Sequence, residues 1–251
     1  MWRECQSLRR GPRKLKEMRD EVLKKILRAQ DHKIPIALIT RLADGSQAII
    51  DRKESIDGDI TFYQQEVEEV LTCIRDDKSR SIGGGEYFVR VFNPKLRMIV
   101  VGAVHIAQAL APMAELANFE VTIVDPRGSF ASDARFPGVK LMDEWPDEAL
   151  VKLAPDTRTA VVTLTHDPKL DDPALEEALK TDAFYIASLG SRKTHSKRLE
   201  RLREAGFNEK TLKRINGPAG LDIGAISPSE IAISILAELT AVLHQKDLNR
   251  A

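Results

Sequence analysis

The sequence predicts an α/β protein: a doubly wound parallel sheet preceded by a smaller α+β domain. Three observations predict it. The stretch "RMIVVGAVHIAQALAPMAELANFEVTIVDPR" (97–127) reads as a buried strand, a tight turn, a helix and a second strand ending in an acid. Short apolar runs then alternate with helical segments to the end of the chain, the texture of βαβ units. Ahead of it, Asn93-Pro94-Lys95 marks a change of texture. The expected division is therefore residues 1–93, with 1–16 as a flexible start, and residues 94–251.

Each element has its own reason. Met18, Val22 and Ile26 recur at helical spacing and predict a helix over 17–30. "IPIALITRLADGSQAIID" predicts two strands about the turn Asp44-Gly45. Val67, Val70, Leu71 and Ile74 mark the buried face of a second helix, with Asp59 as its expected N-cap. The triplet Gly83-Gly84-Gly85 precedes a strand rather than a helix, so a hairpin turn is expected and not a phosphate loop. In the second half, "RMIVV", "EVTIV", "VKLM", "TAVVTL" and "AFYIASL" are the expected strands. Right-handed crossovers then predict the order 3-2-1-4-5. Asp172-Pro173 is expected to open the helix "PALEEALK", and Gly206 to stop the helix beginning near Lys193. Ser227, Pro228 and Glu230 form a capping box opening the last helix.

The bulk numbers narrow the function classes. The 38 basic and 38 acidic residues cancel, so no global field favours nucleic acid or a membrane surface. The basic residues of 1–16 are the local exception and are read as a solvated start. No apolar run has the length of a membrane span. Cys5 and Cys73 match no metal or disulfide spacing, so no metal site is expected and the reducing cytoplasm is the expected compartment.

The turn at Gly102 is the first candidate site, and with it the sheet becomes Rossmann-like. Gly102 permits the strand-to-helix turn, Ala107 is small enough for close packing, and Asp125 lies where an acid meets a ribose hydroxyl. Amides at the helix start favour an anion. Val104 stands where a G-x-G-x-x-G loop has its middle glycine; a valine there narrows the approach and resists positive φ. His105 beside it serves either a phosphate oxygen or a local backbone bond. Further loops converge on the same sheet edge. They bring Asp125 and Arg127, then Thr165, His166 and Asp167, then Gly190, Ser191, Arg192 and Lys193. The last set suits a phosphate. His166 and Asp167 read either as an acid/base pair or as a loop in which Asp167 shapes the turn before Pro168.

"VVGAVHIAQALAPM", "VTIVDPR", "RFPGV", "VVTLTHDPKLDDPAL", "YIASLGSRKTHSKRLERLREAGF" and "INGPAGLDIGAISPSEIAISILAEL" together resemble the xanthine dehydrogenase accessory protein family (XdhC/CoxI), and nearly all of 97–240 is covered. The "GAVH" turn departs from the usual "GAGH", and the N-terminal "GSSPR" and "GGC" stretches are missing, so the likeness is to the CoxF-like branch. The resemblance implies a chaperone that binds the molybdenum cofactor (molybdopterin), or a nucleotide form of it, and delivers it to a molybdenum hydroxylase apo-enzyme of the xanthine or carbon monoxide dehydrogenase type. It also allows a cysteine desulfurase partner and a homodimer. On this reading Gly102, Ala103, Val104 and His105 form the phosphate turn, flanked by Asp125 and Arg127, with Thr165, His166, Gly190, Ser191 and Arg192 completing the site. Two other readings stand beside it. One is an oxidoreductase using NAD(P), with Asp125 favouring NAD and His166 as acid/base; the other is a non-catalytic docking scaffold.

Overall fold

The computed structural model describes residues 20–128 and 130–244. The basic stretch 1–16, Cys5 and Met18 lie outside them. The chain divides into two compact units, with the boundary after Pro94.

In the first unit, α1 (Asp20–Asp31) is followed by β1 (Ile36–Arg41), β2 (Gln47–Asp51), β3 (Ile56–Gly58), α2 (Gln64–Asp76), β4 (Arg80–Ile82) and β5 (Tyr87–Phe92). The strands form an antiparallel sheet in the order β3-β2-β1-β5-β4. The unbroken apolar run of β1 is explained by helices on both faces. Ile36 and Leu38 pack with Ile26 and Ala29 of α1, while Ala37 and Ile39 pack with Val70, Cys73 and Ile74 of α2. Gly83–Gly85 form a 3₁₀ turn joining β4 to β5, the expected hairpin. The expected cap of α2 moves: Tyr63 is the N-cap, its N–H donating to Glu66 Oε2 at 2.8 Å. Asp59 is instead held by its own N–H, which donates to Gln47 O at 3.2 Å and ties it to β2. Cys73 is fully buried, and burial pushes its thiol up from its ordinary value.

The second unit runs β6 (Leu96–Val101), α3 (His105–Leu116), β7 (Phe119–Val124), β8 (Lys140–Met142), α4 (Pro146–Leu153), β9 (Thr159–Thr163), α5 (Pro168–Leu179), β10 (Tyr185–Ser188), α6 (Arg192–Glu204), α7 (Glu209–Leu212), β11 (Ile215–Asn216) and α8 (Pro228–Leu243). Its sheet is parallel throughout, in the order β11-β10-β9-β6-β7-β8. This is the expected order with β11 added at one edge. Alternation along β6 separates two cores. Met98 and Val100 face Leu110 and Ala111 of α3 and Ile235 and Leu239 of α8, whereas Ile99 and Val101 face Leu150 of α4 and Leu175 of α5. The helices therefore cover both faces, as a doubly wound sheet requires.

In this unit too a helix start differs from expectation. Asp167, not Asp172, caps α5, accepting from Lys169 N–H at 2.9 Å, with Pro168 at the first helical position. After β9 Asp-Pro occurs at 167–168 and again at 172–173, and the chain takes the earlier because it turns into the helix soon after β9. Pro173 stays within the helix, and Asp172 forms a two-pronged pair with Arg201 of α6. The capping box at Ser227 and Glu230 is present as expected.

Candidate functional site

The parallel strands bring the loops after β6, β7, β9 and β10 to a single edge of the sheet. Gly102 leaves β6 at φ 110°, and a Cβ there would lie 2.6 Å from Thr165 Cγ2. Both dihedral and space therefore demand glycine. Val104, in contrast, is extended at φ −92°. The expected conflict with positive φ does not arise, and its side chain packs partly on the core beneath. Ala107 is fully buried under the same core, so α3 lies close to the sheet.

The amides of the turn are already committed. Gly102 N–H donates to Val124 O and Ala103 N–H to Asp125 Oδ2, both at 2.8 Å. The amides at the mouth of α3, from His105 to Ala107, have no carbonyl within the helix to bond. No side chain caps them and no acid lies in the first turn. By comparison, α5, α6 and α8 are capped by Asp167, Ser191 and Ser227. An anion at this edge would therefore meet the mouth of α3 rather than Gly102 and Ala103 themselves. His105 stands exposed beside it.

Asp125 departs most from its sequence-based role. It is fully buried and accepts four hydrogen bonds: from Ala103 N–H, from Arg127 N–H at 3.0 Å, and from Arg127 Nε and Nη2 at 2.8 Å each. A carboxylate has about four acceptor positions, so none remains for a ribose hydroxyl. Burial pushes its carboxyl up, but the bonds from Arg127 and Ala103 outweigh burial and hold it below its ordinary value. The group presented to solvent at the end of β7 is the half-buried Arg127.

In the loop after β9, Thr165 Oγ1 donates to Asp171 Oδ1 at 2.7 Å and accepts from Asp167 N–H at 3.0 Å. His166 is exposed and holds φ 62°, a left-handed conformation uncommon outside glycine. Asp167 Oδ1 is engaged as the α5 cap, so its carboxylate serves the helix start, the second of its two sequence readings. In the loop after β10, Gly190 has φ 146° and Ser191 caps α6, accepting from Thr194 N–H at 3.1 Å. Arg192 stands 3.7 Å from Asp222, both side chains almost fully exposed, so this pair contributes little. Gly102 and Gly190 leave strands separated only by β9, about 10 Å apart at ordinary strand spacing.

Two buried groups escaped the sequence reading. Arg198 of α6 is 2% exposed, donates from Nη2 to Leu189 O at 2.9 Å, and lies 3.8 Å from the buried carboxylate of Asp171. Burial pushes Arg198 down and Asp171 up. The pair links the loop after β9 to the loop after β10. Glu238 of α8 accepts at one carboxylate oxygen from Tyr185 Oη and from Gly220 N–H at 3.0 Å. Burial and the Glu238 charge push the Tyr185 phenol well above its ordinary value. Gly220 thereby anchors a cleft of about 280 Å³ between Leu189–Arg192, 218–225 and α8. Tyr185→Phe is expected to lower stability by about 1.5–3 kcal/mol, the worth of a bond to a charged group. A urea midpoint shifted down at unchanged slope is the measurement. The sequence signal for Glu238 is a charged residue on an otherwise apolar helix, whereas Arg198 lies in a helix of mostly polar residues and gives none.

A family model described as the XdhC Rossmann domain matches residues 98–239. The molybdenum cofactor insertion chaperone PaoD of Escherichia coli (strain K12) is 31% identical over 157 residues, 62% of this chain and 43% of that protein. A protein described as a probable xanthine dehydrogenase subunit in Bacillus subtilis (strain 168) is 29% identical over 153 residues, 61% of this chain and 44% of that protein. The chain thus spans less than half the length of these curated relatives. A crystal structure described as a xanthine dehydrogenase from Bacillus halodurans superposes with a TM-score of 0.66 at 23% identity, over 92% of this chain and 66% of that one, and shows the shared fold.

Proposed function

Since the chain belongs to the XdhC Rossmann-domain family, we propose that it is an accessory protein for maturation of a molybdenum hydroxylase, of the xanthine or carbon monoxide dehydrogenase type. Its cargo is the molybdenum cofactor, or a nucleotide form of it, handed to the apo-enzyme. The observation that carries this reading is the likeness, over 157 residues, to a protein named as a molybdenum cofactor insertion chaperone. The geometry supports it in two ways. The uncapped mouth of α3 and the guanidinium of Arg127 suit the phosphate of the cargo. Asp125, with no acceptor left over, weakens the oxidoreductase reading, in which it would hold the ribose of NAD.

Within this proposal Gly102, Ala103 and Asp125 shape the turn, and Val104, His105 and Arg127 face the phosphate. Thr165, His166, Gly190, Ser191 and Arg192 border the rest of the cargo. Among the described residues no group of three or more His, Cys, Asp or Glu side chains could hold a metal ion, and the cargo brings its own molybdenum. A cysteine desulfurase that sulfurates the cargo, and a second copy of the chain, complete the proposed assembly.

Equilibrium binding of molybdopterin, NAD and CTP, each titrated separately, tests this function. Saturable binding of molybdopterin is expected, with transfer to apo-hydroxylase that restores its activity. Arg192→Ala is expected to weaken molybdopterin by about 1.5–3 kcal/mol if a charge-assisted bond is made; unchanged affinity removes Arg192 from the site. Tight binding of NAD with none of molybdopterin overturns the delivery function, and binding of neither probe leaves the docking scaffold.

A further inference from the structure

The loop after β7 carries a cluster in which Phe130 and Arg135 have been given no role. Phe130 is 42% exposed in a loop rich in polar groups. Two guanidinium groups stand by its ring. The Arg127 carbon lies 4.5 Å from the centroid and the Arg135 carbon 5.9 Å. The Arg135 guanidinium carbon also lies 5.5 Å from the ring centroid of buried Phe136. The cluster is tied to the candidate edge at both ends. Arg127 is bonded to Asp125, which holds Ala103 N–H. Arg135 Nη2 donates to Gln108 Oε1 of α3 at 3.0 Å, and its Nη1 donates to Phe130 O at 2.7 Å.

The two cations differ in electrostatics. The charge of Arg127 is matched by the buried carboxylate of Asp125. Arg135 donates only to neutral oxygens, a carbonyl and a carboxamide, and takes part in no ion pair among the described residues. A guanidinium with neutral partners retains its full attraction for an anion. A partly exposed aromatic ring beside it suits a planar ring, because packing on an aromatic side chain tolerates many heterocycles. Neither group alone specifies a ligand; together they match a molecule that carries a planar heterocycle and a phosphate.

We infer that Phe130, Arg135 and Arg127 form a ring-and-phosphate subsite, in which the heterocycle of a nucleotide or phosphorylated pterin packs on the exposed part of Phe130 and its phosphate meets Arg135. This deepens the proposed function and rests on its placing of the cargo at this edge. It assigns to Phe130 the recognition of the ring and to Arg135 that of the anion.

The test is calorimetric titration of the full chain with CTP, cytidine, tripolyphosphate and molybdopterin. The wild type is expected to bind CTP more tightly than tripolyphosphate or cytidine. Phe130→Ala should weaken CTP and molybdopterin at least about fivefold, the low end of a lost stacking contact, and leave tripolyphosphate unchanged. Arg135→Gln should weaken CTP, molybdopterin and tripolyphosphate alike. Arg135→Lys, which keeps the charge, should recover most of the tripolyphosphate affinity. Thermal melting of each variant separates lost contact from lost fold. The subsite is overturned if Phe130→Ala leaves CTP and molybdopterin unchanged, if it weakens tripolyphosphate equally, or if no probe binds the wild type. CTP binding that depends on Phe130, with no molybdopterin binding, upholds the subsite and overturns the delivery function. Molybdopterin binding that ignores both Phe130 and Arg135 does the reverse.

Discussion

Asp125→Ala is expected to destabilise the Rossmann-like unit by about 3 kcal/mol and to abolish ligand binding at the sheet edge. The carboxylate is fully buried and joins the turn after β6 to the loop after β7 through four hydrogen bonds. Its removal orphans the buried Ala103 N–H, worth about 1–3 kcal/mol, and releases Arg127. The Arg127 side chain is 37% exposed and can turn to water, so the loss falls at the low end of the ~3–5 kcal/mol found when a buried pair is broken. Asp125→Asn keeps the shape but sets an NH₂ group against donors, and is expected to lose most of the same stability. The pH dependence has a definite sign. The folded carboxyl is held below its ordinary value of 3.8, so the charged form stabilises the fold above that value. This contribution fades as pH falls through the lower folded value. The stability gap between wild type and Asp125→Ala should therefore be constant from neutral pH to about pH 4 and shrink below it. Urea denaturation at a series of pH values measures it. A gap that widens in acid would show that Asp125 is not charged in the fold.

Gly102→Ala is expected to have the second large effect, about 2–6 kcal/mol. The φ of 110° costs a residue with a Cβ roughly 1–3 kcal/mol. The new methyl would also lie 2.6 Å from Thr165 Cγ2, and overpacking of this kind costs about 1–3 kcal/mol. The two parts separate in a double-mutant cycle. Thr165→Ser removes Cγ2 while keeping the hydroxyl that bonds Asp171, so it should relieve the clash and leave the dihedral strain. Gly102→Ala in the Thr165→Ser background should then lose only the dihedral part. Equal losses in both backgrounds would show that Thr165 does not limit the turn. Because Thr165 carries the loop after β9, the single variant should also weaken any ligand that spans the edge.

Much of this architecture is legible in local pattern. The apolar runs at 97–101, 120–124 and 159–164 each appear as a strand, because a strand buried on both faces needs apolar residues at every position. The order of the parallel sheet follows from handedness and short crossovers. Ser227 and Glu230 form the capping box because both partners lie within one turn of chain. Where a local signal occurs twice, its neighbourhood decides: Asp167-Pro168 opens α5, although Asp172-Pro173 carries the same chemistry. Strands as short as β11 and β3 have no period to read, and they exist because a longer neighbour offers its edge.

The candidate site was legible as a set of loops but not as a set of free groups. Val104 looked obstructive from its position in a motif, yet the turn leaves it extended with its side chain partly on the core. Asp125 looked available, yet Arg127 and the turn amides occupy it. Arg135 was legible only as the start of "RFPGV" and Phe130 not at all, since their place beside α3 depends on the bond from Arg135 to Gln108, 27 positions away.

By itself the sequence determined the alternation of strands and helices, the glycine at the first turn and the family of the Rossmann-like unit. These depend on residues near one another in the chain, whose spacing sets which face is apolar. Only the tertiary structure decided which polar groups remain open to a ligand. A hydrogen-bonding group is free or taken according to what lies within about 3 Å of it, and at this edge those neighbours include groups from other segments, as Ala103 for Asp125, 22 positions away, and Gln108 for Arg135, 27 positions away.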